Sequence, residues 1–239
     1  MIGSAIQIVE ETGSTNADLA QKARVGEARE GQWLVARRQT AGRGRQGREW
    51  FDGSGNFMGS TLVTLKEGDP PPATLSFVAA LAVFEAADEV LMRSSHPTLK
   101  WPNDVLLGGG KLSGILLELV GGHVVVGIGV NLEKAPKLPD RPTAAITDYV
   151  PAPGLSYFAE DLAGCFEGRL AEWRFGGLRP ILNEFLGYSI HTPGSPVTVH
   201  DTDGSRVEGA FDGLEEIDGA LRLRLADGSQ RVIRAGDIL

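Results

Sequence analysis

The feature that most constrains the fold is a basic, glycine-rich stretch over residues 37–50, which reads R-R-Q-T-A-G-R-G-R-Q-G-R-E-W. Glycines let a backbone approach a ligand closely, and guanidinium groups are fork-shaped donors to phosphate or carboxylate. The whole chain nevertheless has a formal net charge of -8. We therefore predict that this arginine loop binds an anion; a mobile, solvated loop is the alternative for a charge run considered by itself.

The glycines of the arginine loop formally match the dinucleotide-binding pattern G-x-G-x-x-G. That pattern requires a helix directly after its last glycine, so that the helix N-terminus faces the pyrophosphate. Here a D-G-S-G turn at residues 52–55 and an apolar, β-branched run at residues 57–65 follow instead. The sequence thus excludes a Rossmann site and predicts a loop between two strands, at residues 33–36 and 57–65.

Apolar periodicity predicts an α+β fold with a mixed, largely antiparallel sheet packed with helices. The predicted strands are residues 6–9, 33–36, 57–65, 99–101, 105–107, 111–120 and 123–132, and the predicted helices are residues 17–23, 75–92, 156–173 and 179–186. Residues 98–132 are expected to form an antiparallel meander, with a hairpin turn at the glycine pair 121–122.

The pattern changes after residue 188, where short alternating runs are separated by Asp-Gly pairs. Asp-Gly between alternating runs is a strong hairpin signal, and several in succession indicate a small β-barrel. The predicted strands are residues 197–200, 206–212, 220–225 and 230–234, with Asp-Gly at 203–204, 218–219 and 227–228. We place a domain boundary near residues 192–194, which gives domains 1–192 and 193–239.

Composition excludes several classes of protein. No apolar run of ~18 residues is present, and residues 1–13 lack a basic segment, so neither a spanning helix nor a signal peptide is predicted. We expect a cytoplasmic protein without membrane association. The single cysteine, Cys165, excludes an intramolecular disulfide and is expected to be a helix filler. The acidic balance argues against broad nucleic-acid binding.

Several polar residues have both a structural and a functional interpretation. Ser14, Thr15 and Asn16 precede a predicted helix and could cap it. Residues 103–104, Asn-Asp, follow a proline and could be turn residues. Lys111 begins an apolar strand and either extends to solvent or points into a site; Gly110-Lys111 is not a Walker A motif, because its spacing differs.

Taken together, five motifs resemble those of the biotin protein ligases, also called biotin–[acetyl-CoA-carboxylase] ligases. The motifs are S-T-N at 14–16, Q-T-A-G-R-G-R-Q-G-R-E-W at 39–50, K-W-P-N-D at 100–104, K-L-S-G-I-L at 111–116 and G-I-G-V-N at 127–131. Their order extends the resemblance over roughly residues 5–135. The resemblance implies a catalytic domain like that of class II synthetases and an SH3-like barrel at the C-terminus.

The resemblance also implies a two-step reaction. Biotin and Mg·ATP give biotinyl-5′-AMP and pyrophosphate, and a lysine of a biotin carboxyl carrier domain then accepts the biotin. The implied substrates are therefore ATP and biotin, with Mg²⁺ as the metal, although the sequence does not identify its ligands. Pre-placed arginines, backbone N–H groups and Mg²⁺ would each stabilise the charge that develops at the α-phosphate.

Site roles follow from the resemblance residue by residue. Lys111, Arg43, Arg45 and Asp104 are the implied catalytic residues. Substrate-binding roles fall to Ser14, Thr15, Asn16, Gln39, Gly42, Arg43, Gly44, Arg45, Lys111 and Gly114, and nucleotide-binding roles to Arg48, Trp50, Asn103 and Asn131. Trp50 is expected to stack on adenine. The four histidines match no motif.

Other readings remain open at the level of sequence. Family members with an N-terminal DNA-binding domain regulate genes, but here S-T-N begins at residue 14, so we expect a ligase without DNA binding of its own. A lipoate-protein ligase or an octanoyl transferase is the nearest alternative, and the transferases need an acyl-cysteine. A non-catalytic nucleic-acid-binding module is a remote one. An exposed sheet edge could pair with the carrier or with a second copy in a homodimer.

Overall fold

A computed structural model describes residues 5–50, 54–139, 141–201 and 205–238. The predicted turn at residues 52–55 lies partly outside these ranges, and the predicted turn at residues 203–204 lies wholly outside them. Seven strands form the larger sheet: β1 (Ile6–Val9), β2 (Trp33–Ala36), β3 (Phe57–Thr64), β4 (Pro97–Lys100), β5 (Asp104–Leu107), β6 (Gly110–Val120) and β7 (His123–Val130). Their order is β1-β2-β3-β7-β6-β5-β4.

The pairing within this sheet confirms a mixed, largely antiparallel arrangement. Strands β1 and β2 are parallel, and the other neighbouring pairs are antiparallel. The predicted meander is present as β4 to β7, and its β6–β7 hairpin turns at Gly121, where φ is +58°. The long pairing of β7 with both β3 and β6 makes β7 the centre of the sheet.

Four helices cover the sheet: α1 (Thr15–Arg24), α2 (Leu75–Leu91), α3 (Leu155–Gly176) and α4 (Leu178–Gly187). Alternate strand residues point to opposite faces. Val63, Val124 and Val126 belong to the main core beneath α2, α3 and α4. Leu62 and Val125 instead join Leu19 of α1 in a second, smaller core.

The face shared with α1 is the one that carries the site. α1 covers part of it, and glycines of β6 and β7 lie at neighbouring positions of the same face, so the uncovered part forms a recess beside the helix N-terminus.

On the opposite face of the sheet, α3 extends to Gly176, whereas the prediction ended that helix at Trp173. Gly177, at φ +77°, is then the one residue between α3 and α4.

The C-terminal part forms a separate five-stranded antiparallel sheet. Its strands are β8 (Pro196–Asp201), β9 (Arg206–Leu214), β10 (Leu221–Arg224), β11 (Gln230–Ile233) and β12 (Gly236–Ile238), in the order β11-β10-β9-β8-β12. This confirms the small β domain, with β12 as a strand that the sequence did not predict. The Trp101 indole N–H donates to the Gly219 carbonyl at 3.0 Å, which joins the two parts of the chain.

The β9–β10 turn at Gly219 is packed tightly against the larger part of the molecule. Gly219 has φ +70°, and a Cβ atom there would lie 2.3 Å from a ring carbon of Phe77 on α2. Only glycine suits both the backbone angle and the close approach. The C-terminal sheet is thereby held against helix α2 of the larger part of the molecule.

Candidate active site

The recess on the α1 face is a cavity of about 270 Å³. It is lined by the N-terminus of α1, the arginine loop, β5 to β7, the segment after β7 and one residue of β12. Of the residues singled out from the sequence, those that line it are Ser14, Thr15, Asn16, Gln39, Arg43, Gly44, Arg45, Arg48, Trp50, Asn103, Asp104, Lys111, Gly114 and Asn131. Five separate motifs therefore meet at one place.

One end of the cavity is a network of neutral polar groups. The Thr15 backbone N–H donates to Gln39 Oε1 at 2.7 Å, and the Thr15 hydroxyl lies 2.7 Å from the Ser60 hydroxyl. Ser60 donates to Asn16 Oδ1 at 2.6 Å, and Asn16 Nδ2 donates to Glu118 Oε2 at 2.7 Å. These contacts fix the Asn16 amide in one orientation. Thr15, Asn16, Gln39 and Ser60 are buried.

Ser14 confirms the capping interpretation while it also lines the cavity. It is the N-cap of α1 and its hydroxyl accepts from the Ala17 backbone N–H. The partially positive N-terminal end of α1 consequently faces the cavity. Ser60 and Glu118, which hold Asn16, were missed because each lies inside a strand and belongs to no recognisable motif.

Glycines form the floor of the cavity. A Cβ atom at Gly127 would lie 2.2 Å from Asn16 Oδ1, and one at Gly129 would lie 2.2 Å from Trp50 Cε2. Gly114, paired with Gly129 across β6 and β7, also contacts the Trp50 ring. Any side chain on this floor would displace a site residue.

Trp50 lies across the floor in this structure. Its indole N–H is buried and meets no hydrogen-bond acceptor within the described residues. The predicted stacking of Trp50 on adenine stays a prediction. The contact with the two paired glycines shows that the ring lies inside the cavity rather than on the outer surface.

The other end of the cavity is cationic, and one carboxylate from the C-terminal sheet holds its arginines. Arg45 Nη1 donates to Asp237 Oδ1 at 3.1 Å and to Asn103 Oδ1 at 3.0 Å. Arg48 Nη2 donates to Asp237 Oδ2. Burial alone would raise the pKa of the Asp237 carboxyl, but Arg45 and Arg48 outweigh burial and lower that pKa below its ordinary value.

Lys111 and Asp104 form a second charged pair in the cavity. Lys111 Nζ donates to Asp104 Oδ1 at 2.5 Å, and about a fifth of each side chain is exposed, 20% and 17%. Of the two interpretations of Lys111, the structure thus favours the site over the solvent. The segment after β7 is attached to the same place, because the Ala144 N–H donates to the Lys111 carbonyl at 3.0 Å.

The two predicted nucleotide-binding asparagines are buried and engaged with backbone. Asn103 Nδ2 donates to the Ile115 carbonyl at 2.6 Å, and Asn131 Nδ2 donates to the Ala144 carbonyl at 3.1 Å. Their amides therefore shape the cavity wall. The 100–104 motif combines several roles, since Trp101 joins the two sheets, Asn103 holds Arg45 and Asp104 pairs with Lys111.

Lys100, in the same motif, lies outside the cavity lining but next to its charges. Burial lowers the pKa of the Lys100 ammonium group; Asp104 acts in the opposite direction, and Arg141 and Lys111 lower it further. Several cations are therefore concentrated at this end of the cavity, where an anionic ligand would relieve their mutual repulsion.

The structure leaves one predicted residue out and adds others. Gly42 is buried behind the cavity, where a Cβ atom would lie 3.1 Å from Gln39 Nε2, so it supports Gln39 instead of lining the site. Lining residues to which the sequence assigned no role include Glu49, Leu116, Pro136, Leu138, Arg141, Thr143 and Asp237. Most come from the irregular segment after β7, which has no periodic pattern to reveal which residues point inward.

Cys165 is unsuited to nucleophilic chemistry. It is half-buried on α3, packed against the main core, and outside the cavity lining. Burial, reinforced by neighbouring carboxylates, raises the pKa of the Cys165 thiol to about 12. Because the thiolate is the nucleophile, an acyl-cysteine mechanism is disfavoured.

The described residues include neither a membrane-spanning helix nor a cluster of metal ligands. Among them, no helix combines the length and apolar character needed to cross a bilayer. The same part of the chain contains no group of three or more histidine, cysteine, aspartate and glutamate side chains placed to hold a metal ion.

Comparison with known proteins gives a consistent result. The profile of the Biotin/lipoate A/B protein ligase family matches residues 8–133, and that of the Biotin protein ligase C terminal domain matches residues 192–239. Biotin–[acetyl-CoA-carboxylase] ligase of Paracoccus denitrificans is 39% identical, over 95% of this chain and 97% of that protein. The protein of the same name from Mycobacterium tuberculosis is 36% identical, over 98% and 88% respectively.

A solved structure agrees with these relatives. The biotin protein ligase from Aquifex aeolicus in complex with biotin and ATP superimposes with a TM-score of 0.85 at 25% identity, over 98% of this chain and 97% of that one. The match extends over both sheets. The chain therefore belongs to the biotin protein ligases, within the Biotin/lipoate A/B protein ligase family.

Proposed function

We propose that this protein activates biotin with ATP to give biotinyl-5′-AMP and pyrophosphate, and then transfers biotin to a lysine of a biotin carboxyl carrier domain. The observation that carries the proposal is the division of a single cavity into a neutral hydrogen-bonding end and a cationic end. Biotin has the matching division, with a polar ureido head at one end and a carboxylate at the other. The relatives named above support the same reaction.

The neutral end suits the ureido head. Thr15, Asn16 and Gln39 are already fixed by one another and by strand residues, so they would bind without reorganising. Ser14 contributes its hydroxyl and the helix N-terminus. Gly44, which lacks a side chain, would let the biotin carboxylate approach the backbone closely. Gly114 would serve the substrate indirectly, because it leaves room for the Trp50 ring and the Lys111 side chain.

The cationic end suits adenylation. A biotin carboxylate oxygen forms a bond to the α-phosphorus, the bond from that phosphorus to the bridging oxygen breaks, and pyrophosphate leaves. Arg43, Arg45 and Lys111 would neutralise the charge that two anions bring together. Arg48, Trp50, Asn103 and Asn131 would contact the nucleotide, the two asparagines chiefly by shaping the wall.

The second step transfers the acyl group. The carrier lysine nitrogen forms a bond to the biotinyl carbonyl carbon, the bond to the phosphate oxygen breaks, and AMP leaves. The attacking amine must be uncharged, so the lysine ammonium group first gives one proton to water or to a carboxylate of the site. Asp104 is our candidate for orienting this lysine, since it already binds an ammonium group, that of Lys111, at 2.5 Å.

Mg²⁺ enters the proposal as the ion that accompanies the triphosphate and neutralises its charge. Mg²⁺ in such sites is held by substrate phosphates together with one or two carboxylates. The cavity-lining carboxylates among the described residues are Glu49, Asp104 and Asp237. Asp104 and Asp237 already pair with Lys111 and Arg45. We therefore expect phosphate oxygens, more than these carboxylates, to hold the Mg²⁺ ion.

The domain division, a homodimer and a cytoplasmic location remain predictions. A boundary near residues 192–194 is supported by the C-terminal profile, which begins at residue 192, and by β8, which begins at Pro196. Pairing of an exposed sheet edge with the carrier domain and pairing with a second copy of the chain both remain open.

The test is pyrophosphate release from Mg·ATP on addition of biotin, with lipoic acid and octanoic acid in parallel reactions. Release with biotin alone is expected. Release with lipoate alone would transfer the proposal to the lipoate ligases of the same family, and release with none of the three acids would refute adenylation. A low-salt gel shift with random RNA and DNA is expected to be negative; a steeply salt-dependent shift would favour the nucleic-acid-binding module.

A further inference from the structure

The C-terminal strand β12 brings a carboxylate into the arginine loop. β12 pairs with β8, and a Cβ atom at Gly236 would lie 2.5 Å from the His200 carbonyl oxygen, so the two strands are in very close contact. Gly236 and Ile238 are buried, while Asp237 between them faces the cavity. The position of the carboxylate is therefore set by a sheet and not by a flexible terminus.

This strand determines the orientation of both arginines. Asp237 accepts from Arg45 with one oxygen and from Arg48 with the other, and the Gly236 carbonyl accepts from Arg45 Nη2 at 3.3 Å. Asn103 holds Arg45 from another direction, and Arg48 Nε donates to the Arg45 carbonyl at 3.3 Å. The backbone of the arginine loop is itself ordered, by a 3-10 turn at Arg45–Gly47 and a bridge between Arg43 and Glu49. Asp237 therefore fixes the guanidinium groups rather than the loop backbone.

Charge strengthens the argument. The guanidinium groups of Arg45 and Arg48 repel each other because both are positively charged. The Asp237 carboxylate between them offsets this repulsion and so stabilises them side by side. Of the other two carboxylates that line the cavity among the described residues, Glu49 and Asp104, the latter is paired with Lys111. The side chains of Arg45 and Asp237 are only 24% and 25% exposed, so water screens their attraction incompletely.

We propose that Asp237 is a positioning residue for nucleotide binding: it holds Arg45 and Arg48 in the orientation in which they meet the triphosphate. The C-terminal sheet thus contributes to the active site through a single strand. This inference rests on the proposed function, because it requires ATP as the ligand of these arginines. Its effect should fall on ATP more than on biotin, because the network around Thr15 at the other end of the cavity would hold the biotin head.

The test compares three full-length variants with the wild-type protein in biotin-dependent pyrophosphate release. Asp237→Asn removes the charge, Asp237→Glu keeps it, and Asp212→Asn is the matched control. Asp212 belongs to the same sheet and accepts from Arg224 at 2.8 Å, but it does not line the cavity. Thermal unfolding of every variant checks that each is folded.

For Asp237→Asn we expect the KM for ATP to rise about tenfold, the scale of one lost charge-assisted hydrogen bond. The KM for biotin should stay within about twofold. Asp237→Glu should restore most of the ATP affinity, and Asp212→Asn should match the wild type. A purely structural role would raise both KM values by similar factors, and would overturn the inference.

An unchanged or lower KM for ATP in Asp237→Asn would also overturn the inference. The carboxylate would then either have no effect on nucleotide binding or compete with the triphosphate for the two arginines. Absence of pyrophosphate release by the wild-type protein is a different result, which refutes the proposed function instead.

Discussion

Replacement of Lys111 by methionine separates the structural from the catalytic role of the Lys111–Asp104 pair. Methionine keeps the length and apolar stem of lysine and removes the ammonium group. Asp104 would then be left as a largely buried carboxylate without its 2.5 Å partner. The double variant Lys111→Met/Asp104→Asn removes both charges together, so the orphaned charge disappears while the ammonium group is still missing.

The magnitudes follow from burial. Breaking a fully buried ion pair costs about 3–5 kcal/mol. About a fifth of each side chain is exposed here, so we expect roughly 2 kcal/mol for Lys111→Met, or a fall in Tm of about 4–8 °C for a chain of this size. The double variant should recover most of that loss. Adenylation should fall at least about 100-fold in both variants, because a charge at the α-phosphate is missing in both.

Thermal unfolding and biotin-dependent pyrophosphate release measure the two effects. Lys66→Met is the matched control, because Lys66 pairs with Glu30 at 3.7 Å on the surface and is 57% exposed. This control should change neither quantity appreciably. A Lys111→Met variant with an adenylation rate within about threefold of the wild type would refute the catalytic assignment, and a double variant no more stable than the single one would refute the orphaned-charge argument.

Two other predictions concern the cavity floor and the β12 contact. Gly127→Ala should raise the KM for biotin more than that for ATP, because the new methyl group would lie 2.2 Å from Asn16 Oδ1, which Ser60 and Glu118 hold in place; equal effects on both substrates would contradict this. The stabilising contribution of Asp237 depends on pH. Its carboxyl pKa is lowered below the ordinary 3.8 in the folded state, so the contribution is present at neutral pH and is lost as pH falls through that lowered value. The Tm difference between wild type and Asp237→Asn should therefore shrink below about pH 4, and a difference that is constant from pH 7 to pH 3 would exclude this origin.

The regular elements were predictable because their signals are local. Helix α2 was apparent from apolar spacing, and the β6–β7 hairpin from two long apolar runs on either side of a glycine pair. The strand β12 was missed because three residues are too short to show an alternating pattern. The parallel pairing of β1 with β2 likewise depends on the path of α1 between them, which periodicity does not determine.

Site residues that belong to a sequence motif were predictable, whereas those that reach the site only through tertiary contacts were not. The motifs identified Arg45 and Lys111 as neighbours of one ligand. Asp237 is 192 residues from Arg45 in the sequence, and no local pattern marks it. Arg141 lies in an irregular segment, and Glu118 in a strand interior, so neither differs locally from an ordinary surface or strand residue.

The position of Trp50 gives the molecule an internal optical reporter. The chain contains four tryptophans, and Trp33, Trp101 and Trp173 are at most 3% exposed in well-packed surroundings. Trp50 is the one whose ring lies in the cavity, on the two floor glycines. Entry of a ligand must either move that ring or cover it, so a change in intrinsic fluorescence on titration is attributable chiefly to one known residue. Occupancy can thus be followed without label, and before any chemical step occurs.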